Sequence, residues 1–175
     1  NFILSSYMVL PNEETRTLLN NWIYNVYKYN ETIQTYTLLQ KLTTYIFKNF
    51  TYKVREEAGV QTAKQTLSYG SGSCRDFAFL FMEVVKCLGL ATRFVSGYLY
   101  APLMSDKVGS THAWAEVYLP GGGWIGFDPT TGNIAGTDHI SVAVSRLPDN
   151  VPPIAGSFLG VSDSTISVGV WVTKV

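Results

Sequence analysis

Residues 68–89 read Ser-Tyr-Gly-Ser-Gly-Ser-Cys-Arg-Asp-Phe-Ala-Phe-Leu-Phe-Met-Glu-Val-Val-Lys-Cys-Leu-Gly, and this stretch decides the architecture. Ser68 to Ser73 is a run of mostly small residues with two glycines and predicts a loop. From about Cys74 to Leu88 the pattern is helical, with Phe77, Leu80, Phe81, Val84, Val85 and Leu88 recurring on successive turns. Apolar residues wrap most of that helix, which places it at the centre of a core. Gly89 is positioned to stop it in the left-handed conformation.

Upstream the chain is also helical. Asn12 precedes Glu13 and Glu14, a cap followed by acidic residues in a first turn. Leu18, Leu19, Trp22, Ile23 and Val26 then mark one buried face. A second helix spans about Thr35 to Phe50, with Leu38, Leu39, Leu42, Tyr45 and Ile46 on its apolar side, and residues 51–54 form a short extended piece. After Gly89 the period changes from 3.6 to 2. Residues 93–101, 112–119, 124–127, 140–144 and 165–175 all predict strands, and Pro120-Gly121-Gly122-Gly123 a turn. Helices first and strands later predict an α+β fold, its central helix packed on a mainly antiparallel sheet. A single domain over residues 1–175 is expected, with a helical part at 1–50, a core at 51–160 and a terminal strand at 161–175.

Composition narrows the function. Hydrophobic residues make up 46% and charged residues 15% of the 175, as in a packed globular protein. Thirteen basic residues balance thirteen acidic ones, so no basic field invites nucleic acid or an anionic membrane surface. No apolar run approaches the roughly 20 residues of a bilayer span, and no membrane insertion is expected. Cys74 and Cys87 on one helix lie about 20 Å apart, beyond the roughly 7 Å a disulfide spans. Two cysteines also fall short of a zinc site unless both histidines join them, and neither metal nor cofactor is expected.

Cys74 begins a helix after a Gly/Ser loop, where free N–H groups and the helix dipole favour a thiolate and an oxyanion. Its plain alternative is a small core residue, and that reading is kept for Cys87. His112 opens an alternating strand, sharing one face with Trp114, Glu116 and Tyr118. A histidine beside a thiol can act as its base, or merely satisfy its hydrogen bonds in a sheet. Asp128 ends the next strand before Pro129. It suits a turn, or an acid that fixes the His112 tautomer. Register tests the second role. A four-residue loop at 120–123 pairs Leu119 with Trp124 and sets Asp128 opposite Ala115, on the wrong face. Setting Asp128 opposite His112 pairs Glu116 with Trp124 and demands a wider or bulged loop.

Gly72-Ser73-Cys74-Arg75-Asp76-Phe77-Ala78, His112-Ala113-Trp114-Ala115-Glu116-Val117 and Gly123-Trp124-Ile125-Gly126-Phe127-Asp128-Pro129-Thr130 together resemble the bacterial transglutaminase-like family. The similarity covers roughly residues 50 to 160 and takes in Thr92 to Tyr98, His139 to Ala143 and Asp149 to Gly156. It implies a papain-like α+β fold, with Cys74 as nucleophile, His112 as general base and acid, and Asp128 as the orienting acid. The family often carries an aromatic residue upstream that helps the oxyanion, and Tyr52 is the candidate here. Ser145-Arg146 departs from the expected Gly-Arg, and the loop before Cys74 lacks an arginine pair. Acidic clusters like the calcium sites of animal transglutaminases are missing from the sequence, so calcium is not implied.

The chemistry that follows is acyl transfer on a peptide or protein substrate. Hydrolysis, as by a peptidase or amidase, is favoured over transfer to an amine, because a transferase must exclude water. Exposed aromatics such as Trp114, Trp124 or Tyr98 could line an acyl groove. A non-catalytic peptide-binding module is the rival. An unpaired reactive thiol fits a reducing cytoplasm, and oligomeric state leaves no mark in the sequence.

Overall fold

The computed structural model describes residues 2–28, 30–55, 57–100, 111–157, 159–160, 165 and 167–173. Five helices, α1 (Phe2–Ser5), α2 (Glu13–Ile23), α3 (Thr35–Asn49), α4 (Ala63–Tyr69) and α5 (Cys74–Cys87), precede the main strands. Two short strands, β1 (Thr51–Tyr52) and β2 (Ser71–Gly72), lie among them. The strands β3 (Thr92–Leu99), β4 (Thr111–Leu119), β5 (Gly123–Asp128), β6 (Asn133–Ile134) and β7 (His139–Ser145) follow, and a 3-10 turn spans Pro148–Asn150. The α+β architecture is the one the change of period predicts.

Helix α5 is central, as its all-round apolarity requires. Phe77, Leu80, Phe81, Val84 and Val85 are buried, together with α2 and α3 residues such as Leu19, Ile23, Leu39 and Ile46. Ala113, Ala115, Val117 and Phe127 from the sheet complete the same core. Asn12 caps α2 by accepting from the Thr15 N–H at 2.9 Å. At the other end of α5, Gly89 adopts φ +81°, a conformation a side chain would strain.

Two expectations change. Ser68 and Tyr69 are not loop but the end of α4, which begins in a capping box between Thr62 and Gln65 and stops at Gly70 with φ +58°. That box is readable as Thr-x-x-Gln, but the helix has only seven residues and no long apolar stripe to betray it. Ser71 and Gly72 then pair in parallel with Thr51 and Tyr52, so the approach to α5 is held rather than loose. The predicted strand at 165–175 is the second change. Among its described residues there is no strand beyond an isolated bridge at Val170. Val168 and Trp171 stay exposed, because alternation makes a strand only where a sheet edge receives it.

The main sheet has the order β6-β5-β4-β3-β7, antiparallel throughout. The β3–β7 register shifts between Ser96 and Gly97. Gly97 is obligatory there, since a Cβ would lie 2.1 Å from the Ile140 carbonyl oxygen and 3.0 Å from the Trp114 ring. Gly97→Ala should therefore lower stability by about 2 kcal/mol or more, a fall in thermal midpoint of several degrees. Gly156→Ala, where a Cβ meets nothing within 4 Å, should leave it unchanged. Equal midpoints for the two variants would refute the packing argument.

Candidate active site

Cys74, His112 and Asp128 come from three elements, the start of α5, the start of β4 and the end of β5. All three are buried. Asp128 reaches His112 by a route that neither hairpin weighed above anticipates. Leu119 pairs with Gly123, and the ladder runs through Tyr118–Trp124 to Ala115–Phe127. The loop is thus three residues, with a Leu119 carbonyl to Gly122 N–H bond of 3.0 Å and Gly121 at φ +83°, the geometry of a type II turn with Pro120 leading. One step beyond Phe127, Asp128 comes level with Trp114, which shares a face with His112. Parity is right without a wide loop, and the diagonal offset is within side-chain reach. His112 Nε2 bonds Asp128 Oδ2 at 2.8 Å.

That bond puts the Nε2 proton between ring and carboxylate and leaves Nδ1 for Cys74. Burial alone pushes His112 down, but its hydrogen bond to Asp128, its interaction with Cys74 and the charges of both overcome that and lift the ring to about 9. Burial likewise pushes Asp128 up, yet bonds from His112, His139 and the Thr130 N–H hold it well below the usual carboxylate range. Cys87, at the far end of α5, is pushed up to about 11 by burial and Glu83. Tyr52 is raised by burial and then by the charge of Cys74, which places its hydroxyl in the thiol's field.

His139 was not singled out in the sequence. Its Nε2 lies 3.1 Å from the same Asp128 Oδ2, although β7 reaches the site only across β3. Asp76 was also missed, although it sits two residues from Cys74. Buried entirely, it accepts from the Ser73 N–H at 2.8 Å, the Gln61 N–H at 2.7 Å and Arg55 Nη1 at 2.7 Å. The Ser73 bond is the back half of a capping box and was legible as Ser-x-x-Asp.

His112, Asp128 and His139 bring ligand atoms within 4.8 Å of one another, close enough to ask whether they form a metal centre. A metal-bound histidine normally donates its other ring N–H. Here the Gly136 N–H donates to His139 Nδ1 at 3.2 Å, so the proton sits on Nε2, aimed at Asp128. The cluster is built as a hydrogen-bonded group.

The aromatic groove residues fall elsewhere. Trp114 is only 2% exposed, packed against His112 and His139, so it offers no groove wall. Trp124 lies four residues before Asp128 along β5, about 13 Å away, under Arg93 and beside Tyr7 and Tyr118. A cleft of about 350 Å³ does open beside Ser73, lined by Arg55, Arg75, Asp149, Pro152 and Ile154 among others.

Linkage gives a prediction. His112 rises from its ordinary 6.5 to about 9 on folding, so its stabilisation is complete below 6.5 and is lost as pH rises through about 9. Asp128 is lowered from its ordinary 3.8, so its contribution is complete above that value and is lost as pH falls beneath it. Thermal denaturation should show the largest gap between parent and Asp128→Asn from about pH 5 to 6.5. A gap that does not close on either side would contradict the assignment.

Comparison with known proteins identifies the family and the fold. Residues 27–129 match the family model described as the transglutaminase-like superfamily. An uncharacterized protein of Mycobacterium leprae is 36% identical over 109 residues, covering 59% of this chain and 38% of that protein. Another from Mycobacterium tuberculosis is 31% identical over 138 residues, covering 74% and 44%. The chain therefore spans less than half the length of these relatives. The crystal structure of a candidate cysteine protease from Cytophaga hutchinsonii superimposes with a TM-score of 0.71 at 21% identity, over 99% of this chain and 60% of that one. At that identity the likeness speaks for the fold. Three sequence motifs, the α5-on-sheet architecture and a family match over residues 27–129 converge, and the chain belongs to the transglutaminase-like superfamily.

Proposed function

We propose that the chain is a cysteine-dependent acyl-transfer enzyme, and specifically a peptidase or amidase, acting on a peptide or protein substrate through Cys74, His112 and Asp128. The observation that carries this reading is the buried His112, bonded to Asp128 at 2.8 Å through Nε2, with Cys74 near enough to help raise its pKa.

The steps follow from the geometry. The Cys74 thiolate adds to the amide carbonyl, forming a C–S bond and a tetrahedral oxyanion. N–H groups at the start of α5 face that oxyanion, and Tyr52 offers a hydroxyl kept protonated by burial and the thiolate's charge. The His112 imidazolium gives its Nδ1 proton to the leaving nitrogen, and the C–N bond breaks. A thioester remains. Neutral His112 then takes a proton from water, hydroxide adds to the thioester, and Cys74 leaves as thiolate. Asp128 keeps the ring in one tautomer throughout.

If an amine replaces water in the last step, the same residues make a transferase. Hydrolysis is favoured because water is always at hand, whereas a transferase must exclude it. A peptide-binding module without chemistry remains the contrasting class. Two unpaired thiols suit a reducing compartment such as the cytoplasm, and that location is proposed on this ground alone.

Alkylation by iodoacetamide at neutral pH, read by peptide mass spectrometry, tests the reading. Cys74 should react at least tenfold faster than Cys87, and His112→Ala should erase the difference. An inert Cys74 in the folded parent would favour the binding module. With an amide substrate found by peptide-library screening, Tyr52→Phe should lower kcat about tenfold or more. An unchanged kcat would remove Tyr52 from the oxyanion site while leaving the rest in place.

A further inference from the structure

Asp128 does not serve His112 alone. Its Oδ2 accepts from His112 Nε2 at 2.8 Å, from His139 Nε2 at 3.1 Å and from Thr131 Oγ1 at 2.9 Å. Its Oδ1 accepts from the Thr130 N–H at 2.9 Å, with the Thr131 N–H at 3.4 Å. A carboxylate offers about four lone-pair positions, so this one is saturated. We propose that His139 is a positioning residue for the acyl-transfer site: its imidazole locks the Asp128 carboxylate and shares the charge that would otherwise go to His112. The inference rests on the catalytic reading above.

Four features single out His139 from an ordinary buried histidine. The Gly136 N–H, three residues earlier, donates to its Nδ1. That contact selects the tautomer with the proton on Nε2, the only one able to donate to Asp128. The register shift at Gly97 lets β7 press against β3 closely enough for the ring to reach the site, with Leu99 opposite His139. Trp114 stands edge-on to His139 at 5.0 Å and 78°, and stacks on His112 at 6.2 Å and 28°. Neither imidazole can turn without displacing that indole. Last, the contacts of the His139 ring run to Asp128, Gly136, Trp114 and His112. It acts through Asp128.

The chemical consequence lies in the two tasks of His112. As an imidazolium it protonates the leaving nitrogen, and as a neutral ring it activates water against the thioester. An Asp128 carrying its full charge would stabilise the imidazolium so strongly that the second task suffers. A second N–H on the same oxygen draws off part of that charge. His139 thereby holds His112 lower than Asp128 alone would set it, and balances the acid and base steps.

The test is a titration of His112 by 15N-detected imidazole NMR in the parent, His139→Gln and His139→Phe. Glutamine can offer an N–H near the Nε2 position, whereas phenylalanine fills the space against Trp114 and donates nothing. His112 should titrate about one pH unit higher in His139→Phe and within a few tenths of a unit of the parent in His139→Gln. In the parent, His139 should show its proton on Nε2. An unmoved His112 in His139→Phe overturns the inference. Should that variant fail to fold, His139→Leu takes its place with the same rise expected and the same unmoved His112 overturning the inference, and a proton on His139 Nδ1 in the parent spectrum overturns it in either case. Iodoacetamide rates keep the two readings apart. If parent Cys74 reacts no faster than Cys74 in His112→Ala, the catalytic reading falls and this inference with it. If the parent is fast and His112 unmoved in His139→Phe, the inference falls alone.

Discussion

The site turns on a carboxylate that has no contact with water. Asp128 is wholly buried, and a charge in that position is tolerable only if donors meet it from every side. They arrive from three separate parts of the chain: His112 from β4, His139 from β7, and Thr130 and Thr131 from the turn that follows β5. None of these donors is close to the others in covalent terms except the turn pair. The sheet must therefore close in one register for the charge to be satisfied, and closure of the sheet and assembly of the site are one event.

A second buried carboxylate governs the other half of the site. Asp76 gathers Ser73, Gln61 and Arg55 around the first turn of α5. Its neighbour Arg75 lies over the Phe94 ring and donates to the carbonyls of Pro148 and Val151. These bonds tie the Cys74 turn to the 55–61 segment on one side and to the 148–151 turn on the other. The β1–β2 ladder adds a third tether, with Lys53 N–H donating to the Gly72 carbonyl at 2.8 Å. Tyr52 thus moves with the backbone that presents the thiol. Cys74 sits where a rigid helix start, and not a loose glycine loop, sets its direction.

Much of this was legible. The change of hydrophobic period after Gly89 marked the α+β division, and the three motifs marked Cys74, His112 and Asp128. What escaped has physical reasons. Helix α4 is too short for its periodicity to speak, so only its capping box announced it. His139 is unreadable locally, since it reaches Asp128 across two intervening strands and a register shift. Trp114 was misplaced because an alternating strand says which residues share a face but not whether that face is covered. Here the rings of His112 and His139 pack against the indole. The segment 165–175 alternates like a strand, but among its described residues only Val170 finds a bridge, and no local pattern can supply a sheet edge.

The three-residue turn at Pro120–Gly122 has a wider meaning for how such a protein can change. Side chains alternate along β5 with a period of two. One residue added or removed between Leu119 and Gly123 would carry Asp128 away from His112 unless a bulge absorbed it, whereas two would keep it on the same face. The loop is exposed, glycine-rich and touches none of the reacting groups, the kind of place where insertions ordinarily accumulate without effect. In this fold its length is counted in steps. A surface feature that looks free to drift is in fact coupled, through nothing more than parity, to a wholly buried charge.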